Sequence, residues 1–190
     1  MTADDDLAIL KQVRDYADHA HGEQKRKYTG DRYIVHPVRV MELCKSHTQD
    51  LCVLSAALLH DVLEDTPVTE KDIRSFLADL MPAAEVDKTV RLVVELTDVY
   101  VHEKFPHLNR RSRKEMERTR MSRTSVDAQT IKYADIIDNC REIVSHDRHF
   151  ARIFLKECDA LLKVMLSGNK ALFDQARKDV SAGLSSLNGR

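Results

Sequence analysis

Apolar residues recur every three or four positions along most of the chain, a spacing that predicts one helix after another. Residues 4–21 carry Leu7, Leu10, Val13, Ala17 and Ala20 on one side. A polar stretch with Gly30 at its centre, residues 22–35, reads as a loop. His36-Pro37 then opens a short helix that packs Val38, Met41 and Cys44, with Pro in the first turn where its missing N–H costs nothing. Residues 50–65 form the most apolar segment, stopped by Thr66-Pro67. Thr69 and Asp72 have the spacing of a capping box for a helix buried through Ile73, Phe76, Leu77 and Leu80. After Pro82 come Val86, Val90, Val93 and Thr97; Leu92 to Leu96 could pass for a strand, but their flanks favour helix.

Residues 98–124 are polar and basic and carry no apolar period. Helices follow over about 125–145 and 150–166, and a last one begins near Asn169 (169–185), with a frayed tail from Ser181. Eight helices result, with no composition break, repeat or low-complexity stretch. The expectation is one all-α domain over residues 1–190, its motif-bearing core at 17–166.

Composition narrows this only slightly. Five Gly and four Pro are too few for a sandwich or barrel with many turns. The 30 Lys and Arg against 31 Asp and Glu exclude a globally basic nucleic-acid coat. No apolar run approaches the roughly 20 residues of a membrane span. The acidic start, residues 1–6, lacks the basic and apolar regions of a signal peptide. Cys44, Cys52, Cys140 and Cys158 form no CxxC pair and sit beside apolar residues, as reduced core cysteines do, so a cytoplasmic location is expected.

The chemistry lies where the pattern breaks. The most apolar helix ends in LLHDVLEDT, which puts His60, Asp61, Glu64 and Asp65 where Leu or Ala would fit. On a continuous helix His60 would stack under Glu64 and Asp61 under Asp65. Burying such groups is costly unless they are paired or hold a metal. The plain alternative is a helix end that surfaces into solvent. His with carboxylates suits Mn, Fe, Zn or Mg, and a carboxylate-rich set leans to the harder ions. In IKYADIIDNCR, Asp135 and Asn139 share a face, with Lys132 beside them. YIVHP adds His36 at a loop-to-helix junction. The three segments run H…HD…D, the order of the HD-superfamily metal-dependent phosphohydrolases.

The neighbourhood is narrower still. AHGEQKRKYTGDRYIVHP followed by ALLHDVLEDTPVT, and later IKYADIIDN, resembles the hydrolase domain of the RelA/SpoT-homologue family. The resemblance implies a stand-alone small alarmone hydrolase: a manganese-dependent enzyme that removes the 3′-pyrophosphate from ppGpp and pppGpp. It assigns the metal to His36, His60, Asp61 and Asp135, and the activation and aiming of water to Glu64 and Asp65. It places Arg26, Lys27, Tyr33, Lys132, Asn139 and Arg141 at the nucleotide. Arg26 would stack its planar guanidinium on the purine. Asp31-Arg32 departs from the family's residue-then-Pro before the Tyr, and Cys140 stands where Leu is usual.

The basic run NRRSRKEMERTRMSR has several readings: a solvated helix face or mobile loop, a cationic rim steering an anionic nucleotide, or, without interleaved aromatics, a poorer nucleic-acid surface. The expected partner is a small nucleotide, with no nucleic acid or membrane; a homo-oligomer is compatible with the sequence. Alternatives are another HD phosphohydrolase, acting on a nucleotide monophosphate or NADPH, and a non-catalytic binding module, which ranks last because every expected ligand and both acids are present.

Overall fold

A computed structural model describes residues 3–188. Ten helical segments make up the regular structure of these residues, and the β pairing among them is an isolated bridge between Lys25 and Arg32. The all-α expectation is met. The two additional segments have separate origins. The helix expected over 50–65 is broken in two, and the basic run is itself helical.

The helices gather in two compact units, Met1–Thr97 and Asp98–Arg190. In the first, α3 (Leu51–Leu59) is buried along its whole length. Its sequence LCVLSAALL has no polar face to give to water, so neighbours must cover it on every side. α1 (Ala3–His21), α2 (Val35–Lys45) and α6 (Ala83–Leu96) do so. Asp50 caps α3 by accepting from the Cys52 amide at 2.9 Å. α5 (Glu70–Ala78) starts with the expected capping box between Thr69 and Asp72 and packs on α6. The short α4 (Val62–Asp65) lies against α1.

In the second unit α8 (Val126–His146) is the central helix, packed on α9 (Arg148–Leu162) and α10 (Lys170–Asn188). α7 (Arg110–Met121) packs on α9. The tail from Ser181 continues α10 rather than fraying. Val180 and Leu187 are buried, and Arg148 and Arg152 donate to the carbonyls of Ser186 and Leu187. Those guanidinium groups satisfy terminal carbonyls that a free helix end would leave to water.

α7 is held by polar devices instead of an apolar stripe. Asn109 caps it by accepting from the Ser112 amide at 2.9 Å. Arg110 forks onto Glu157 with two bonds of 2.8 Å, and Lys114 reaches Asp98 at 2.9 Å. The buried Glu117 accepts from Arg120 and from the amides of Val99 and Tyr100. Much of the cationic run is thus tied to structural partners. The four cysteines are unpaired and buried, as expected of core residues.

Candidate metal centre

The first unit places its candidate residues at a break in its most apolar helix. α3 ends at Leu59 and α4 begins at Val62, leaving His60 and Asp61 at the joint. His60 Nδ1 donates to the Ala57 carbonyl at 2.8 Å. This bond ties the ring back to the last turn of α3. Burial differs across the joint. His60 is 4% exposed, while Glu64 and Asp65 are exposed on α4. The straight stacking of four ionisable groups expected from a continuous helix is replaced by a buried imidazole and two acids open to water.

A carbonyl can only accept, so His60 Nδ1 carries a proton and Nε2 is the ring atom turned to the site. That Nε2 lies 3.1 Å from Asp61 Oδ2. His36 opens α2, is 1% exposed, and places its own Nε2 3.6 Å from the same oxygen. The imidazoles meet edge to face with centroids 5.2 Å apart, and each offers a ring nitrogen within 4.8 Å of the other's. Two imidazole nitrogens and a carboxylate oxygen gathered in this setting are the donor types that hold a divalent cation, so the set fits a metal.

Around these candidate donors lies a shell of aromatic and amide groups. The Tyr33 hydroxyl donates to Asp61 Oδ2 at 2.7 Å. Burial, then the charges of Asp61 and Asp65 and its bonds to them, push its pKa far above the ordinary tyrosine range, so it stays a donor. One face of Tyr33 stacks on His21 at 4.4 Å, and its ring lies 5.6 Å from the Arg26 guanidinium carbon. Arg26 is 9% exposed, and its backbone pairs with Asp31 and Gly30. Gly30 closes this loop at φ 74°, a conformation that favours glycine. Lys27 lies outside this cluster, exposed over the Tyr28 ring at 4.8 Å.

The second unit presents its residues on α8. Asp135 is 6% exposed, with Oδ1 accepting from Asn139 at 2.6 Å and Oδ2 paired with Lys132 at 2.8 Å. The expected common face of Asp135 and Asn139 is therefore present as a bonded pair, and Lys132 is brought to it. Arg141 is exposed further along the helix.

Two residues escaped the sequence reading. His21 is buried, with Nδ1 2.9 Å from Gln24 Oε1, and Gln24 Nε2 donates to Asp65 Oδ2 at 3.3 Å. Their signal was the HGEQ string, in which a His and an amide three residues apart flank the glycine that ends α1 at φ 54°.

An all-helical chain with a buried His pair beside an HD dipeptide belongs to a recognisable class, and the comparisons give it a family. The HD-domain family profile matches residues 14–161. A mouse protein named guanosine-3′,5′-bis(diphosphate) 3′-pyrophosphohydrolase MESH1 is 36% identical over 141 residues, covering 73% of this chain and 71% of that protein. A probable guanosine-3′,5′-bis(diphosphate) 3′-pyrophosphohydrolase of Mycoplasma pneumoniae is 29% identical over 143 residues, and there the match spans only 18% of the relative's length. Among solved structures, one described as a metazoan ortholog of SpoT that hydrolyzes ppGpp superposes with a TM-score of 0.77. It is 25% identical, and the match covers 93% of this chain and 97% of that one. The chain belongs to the HD-domain family, alongside MESH1 and SpoT-like relatives.

Proposed function

We propose that this chain is a divalent-metal-dependent pyrophosphohydrolase that removes the 3′-pyrophosphate from ppGpp and pppGpp, acting as one HD domain. The convergence of His36 Nε2 and His60 Nε2 on Asp61 Oδ2 carries the reading, because these donor types suit a divalent cation. The matched family profile, whose span includes all three segments of the H…HD…D order, supports Asp135 as a further proposed ligand. The names of the mouse and Mycoplasma relatives and the activity stated for the SpoT ortholog support the substrate. Mn²⁺ is the proposed ion, since two imidazoles with two carboxylates make a mixed set leaning to harder metals. The four buried, unpaired cysteines suit a reducing compartment, so the cytoplasm is the proposed location. No helix of the described residues is long and apolar enough to cross a membrane.

A bound divalent ion would make water more acidic and draw charge from the phosphoryl oxygens. The chain's own residues supply the rest. Glu64 and Asp65, open to solvent on α4, accept the proton of the attacking water and aim its lone pair. The water oxygen bonds to the phosphorus attached to the ribose 3′ oxygen, that P–O bond breaks, and the 3′ oxygen takes up a proton. Pyrophosphate and GDP or GTP are the products. Tyr33 keeps Asp61 turned toward the imidazoles, and Lys132 with Asn139 does the same for Asp135. Arg26, Lys27 and Arg141 supply cationic charge for the nucleotide.

Product analysis with ppGpp, pppGpp, ppApp and NADPH offered side by side with Mn²⁺ tests this. Pyrophosphate with GDP from ppGpp is the expected result. Inorganic phosphate from NADPH, with ppGpp untouched, would replace the reading by a nucleotide phosphatase.

A further inference from the structure

The geometry points to Gln24 as a positioning residue, braced by His21, that holds Asp65 in its working orientation. The inference rests on the role proposed above for Asp65. Asp65 is exposed on a helix of a single turn, where the Tyr33 hydroxyl is one bonding partner and a second is needed to fix the rotation of its carboxylate. A general base needs one oxygen held and the other aimed at water. Gln24 Nε2 supplies the hold by donating to Asp65 Oδ2.

The Gln24 amide is itself fixed in orientation. Its NH₂ faces the carboxylate, so its Oε1 faces His21 Nδ1 at 2.9 Å, and that nitrogen must carry the proton. His21 Nε2 then holds a lone pair. It is buried and without a hydrogen-bond partner, which suits a lone pair far better than an N–H, whose desolvation would cost more. The imidazole ring cannot swing, because it is stacked on Tyr33 at 4.4 Å and is 6% exposed. A flipped Gln24 would put an NH₂ against the His21 donor and an oxygen against the Asp65 carboxylate, losing both bonds. The chain of donors therefore has one direction, from His21 through Gln24 to Asp65. Tyr33 serves the same frame from its other end by holding Asp61. One stacked His–Tyr pair thus orients a proposed metal ligand and a proposed base together.

A double-mutant cycle on the full chain with ppGpp and Mn²⁺ tests the inference, using Gln24→Met, which keeps the side-chain length without the amide. The expected result is a fall in kcat of about ten-fold, in the range known for residues that orient site groups. KM and the Mn²⁺ concentration for half activation should stay within about two-fold, because an outer residue changes metal affinity by holding a ligand, and Asp65 is not one. Asp65→Asn alone should lower kcat more, and adding Gln24→Met to it should cost nothing further. Asp65→Asn with full activity would sink the role of Asp65, and the inference with it. A deficient Asp65→Asn beside a fully active Gln24→Met would overturn the inference alone. So would a Gln24→Met loss repeated in full on the Asp65→Asn background, or one seen in KM or metal activation rather than kcat. Should Gln24→Met not fold, Gln24→Asn keeps the polarity but falls one methylene short, and the same pattern is expected of it.

Discussion

The Tyr33 hydroxyl donates to Asp61 Oδ2 at 2.7 Å, the same oxygen on which the Nε2 atoms of His36 and His60 converge. A neutral donor on a carboxylate that faces two imidazoles fixes its direction without adding charge. Tyr33→Phe keeps the ring stack on His21 and removes the hydroxyl's bonds to Asp61 and Asp65. Hydrolysis of ppGpp should fall by about ten- to a hundred-fold, with more Mn²⁺ needed for half activation. An unchanged Mn²⁺ titration would separate Tyr33 from the metal centre.

Glu64 is exposed on α4 and, on the proposed mechanism, touches water rather than metal. Glu64→Ala should bind Mn²⁺ as before, measured by calorimetry, yet lose about a hundred-fold or more in turnover. Equal activity would remove Glu64 from the mechanism.

Asp135 is the proposed ligand on α8. Asp135→Ala should lose tight Mn²⁺ binding and hydrolysis together, and would leave Lys132 and Asn139 without their acceptor. Hydrolysis that survived with its metal dependence intact would set the proposed ligand set aside.

Asp50 connects pH to stability. Burial works to raise its pKa, but the hydrogen bond and charge of Lys88, at 2.5 Å, and the amides of Cys52 and Val53 outweigh it and hold the carboxyl below the ordinary range. A depressed carboxylate stabilises the fold above its unfolded pKa of about 3.9, and that gain fades as pH falls through the lower folded value. Asp50→Asn should therefore melt below the parent at pH 7, and the gap should narrow as melts are taken toward pH 3.

Gly168 lies against α8. A Cβ there would come 2.5 Å from Tyr133 Cε2 and 2.8 Å from the Thr130 amide nitrogen, while the Tyr133 hydroxyl is anchored on the Met165 carbonyl at 2.7 Å. Backbone on one side and a tied ring on the other leave little room to yield. Gly168→Ala should cost about 1–3 kcal/mol, seen as a drop in Tm of roughly 2–4 °C for each kcal/mol.

What could be read in the sequence follows from what periodicity encodes. α6 and α8 bury apolar residues at helical spacing, and their positions were legible within a few residues; of the fully buried α3 only the start was. α7 was not, because it buries only Glu117 and Met121 and stands on a cap and ion pairs that leave no apolar stripe. The break after Leu59 was equally hidden: no change in the apolar pattern marks the joint between α3 and α4. His36, His60, Asp61 and Asp135 stood out as ionisable groups inside apolar segments or at their junctions. His21 and Gln24 did not, since their roles come from bonds reaching Asp65 from 41 residues away in the chain for Gln24.

The bond from His60 to the Ala57 carbonyl gives that side chain two inseparable duties. One nitrogen faces the carboxylate, and the other ties the ring to the end of α3. An alanine at this position deletes the facing nitrogen and the tie together. Inactivity after such a change would report a loosened helix end as much as a missing imidazole. Any scheme that ranks the site's residues by knock-out severity would read the two losses as one.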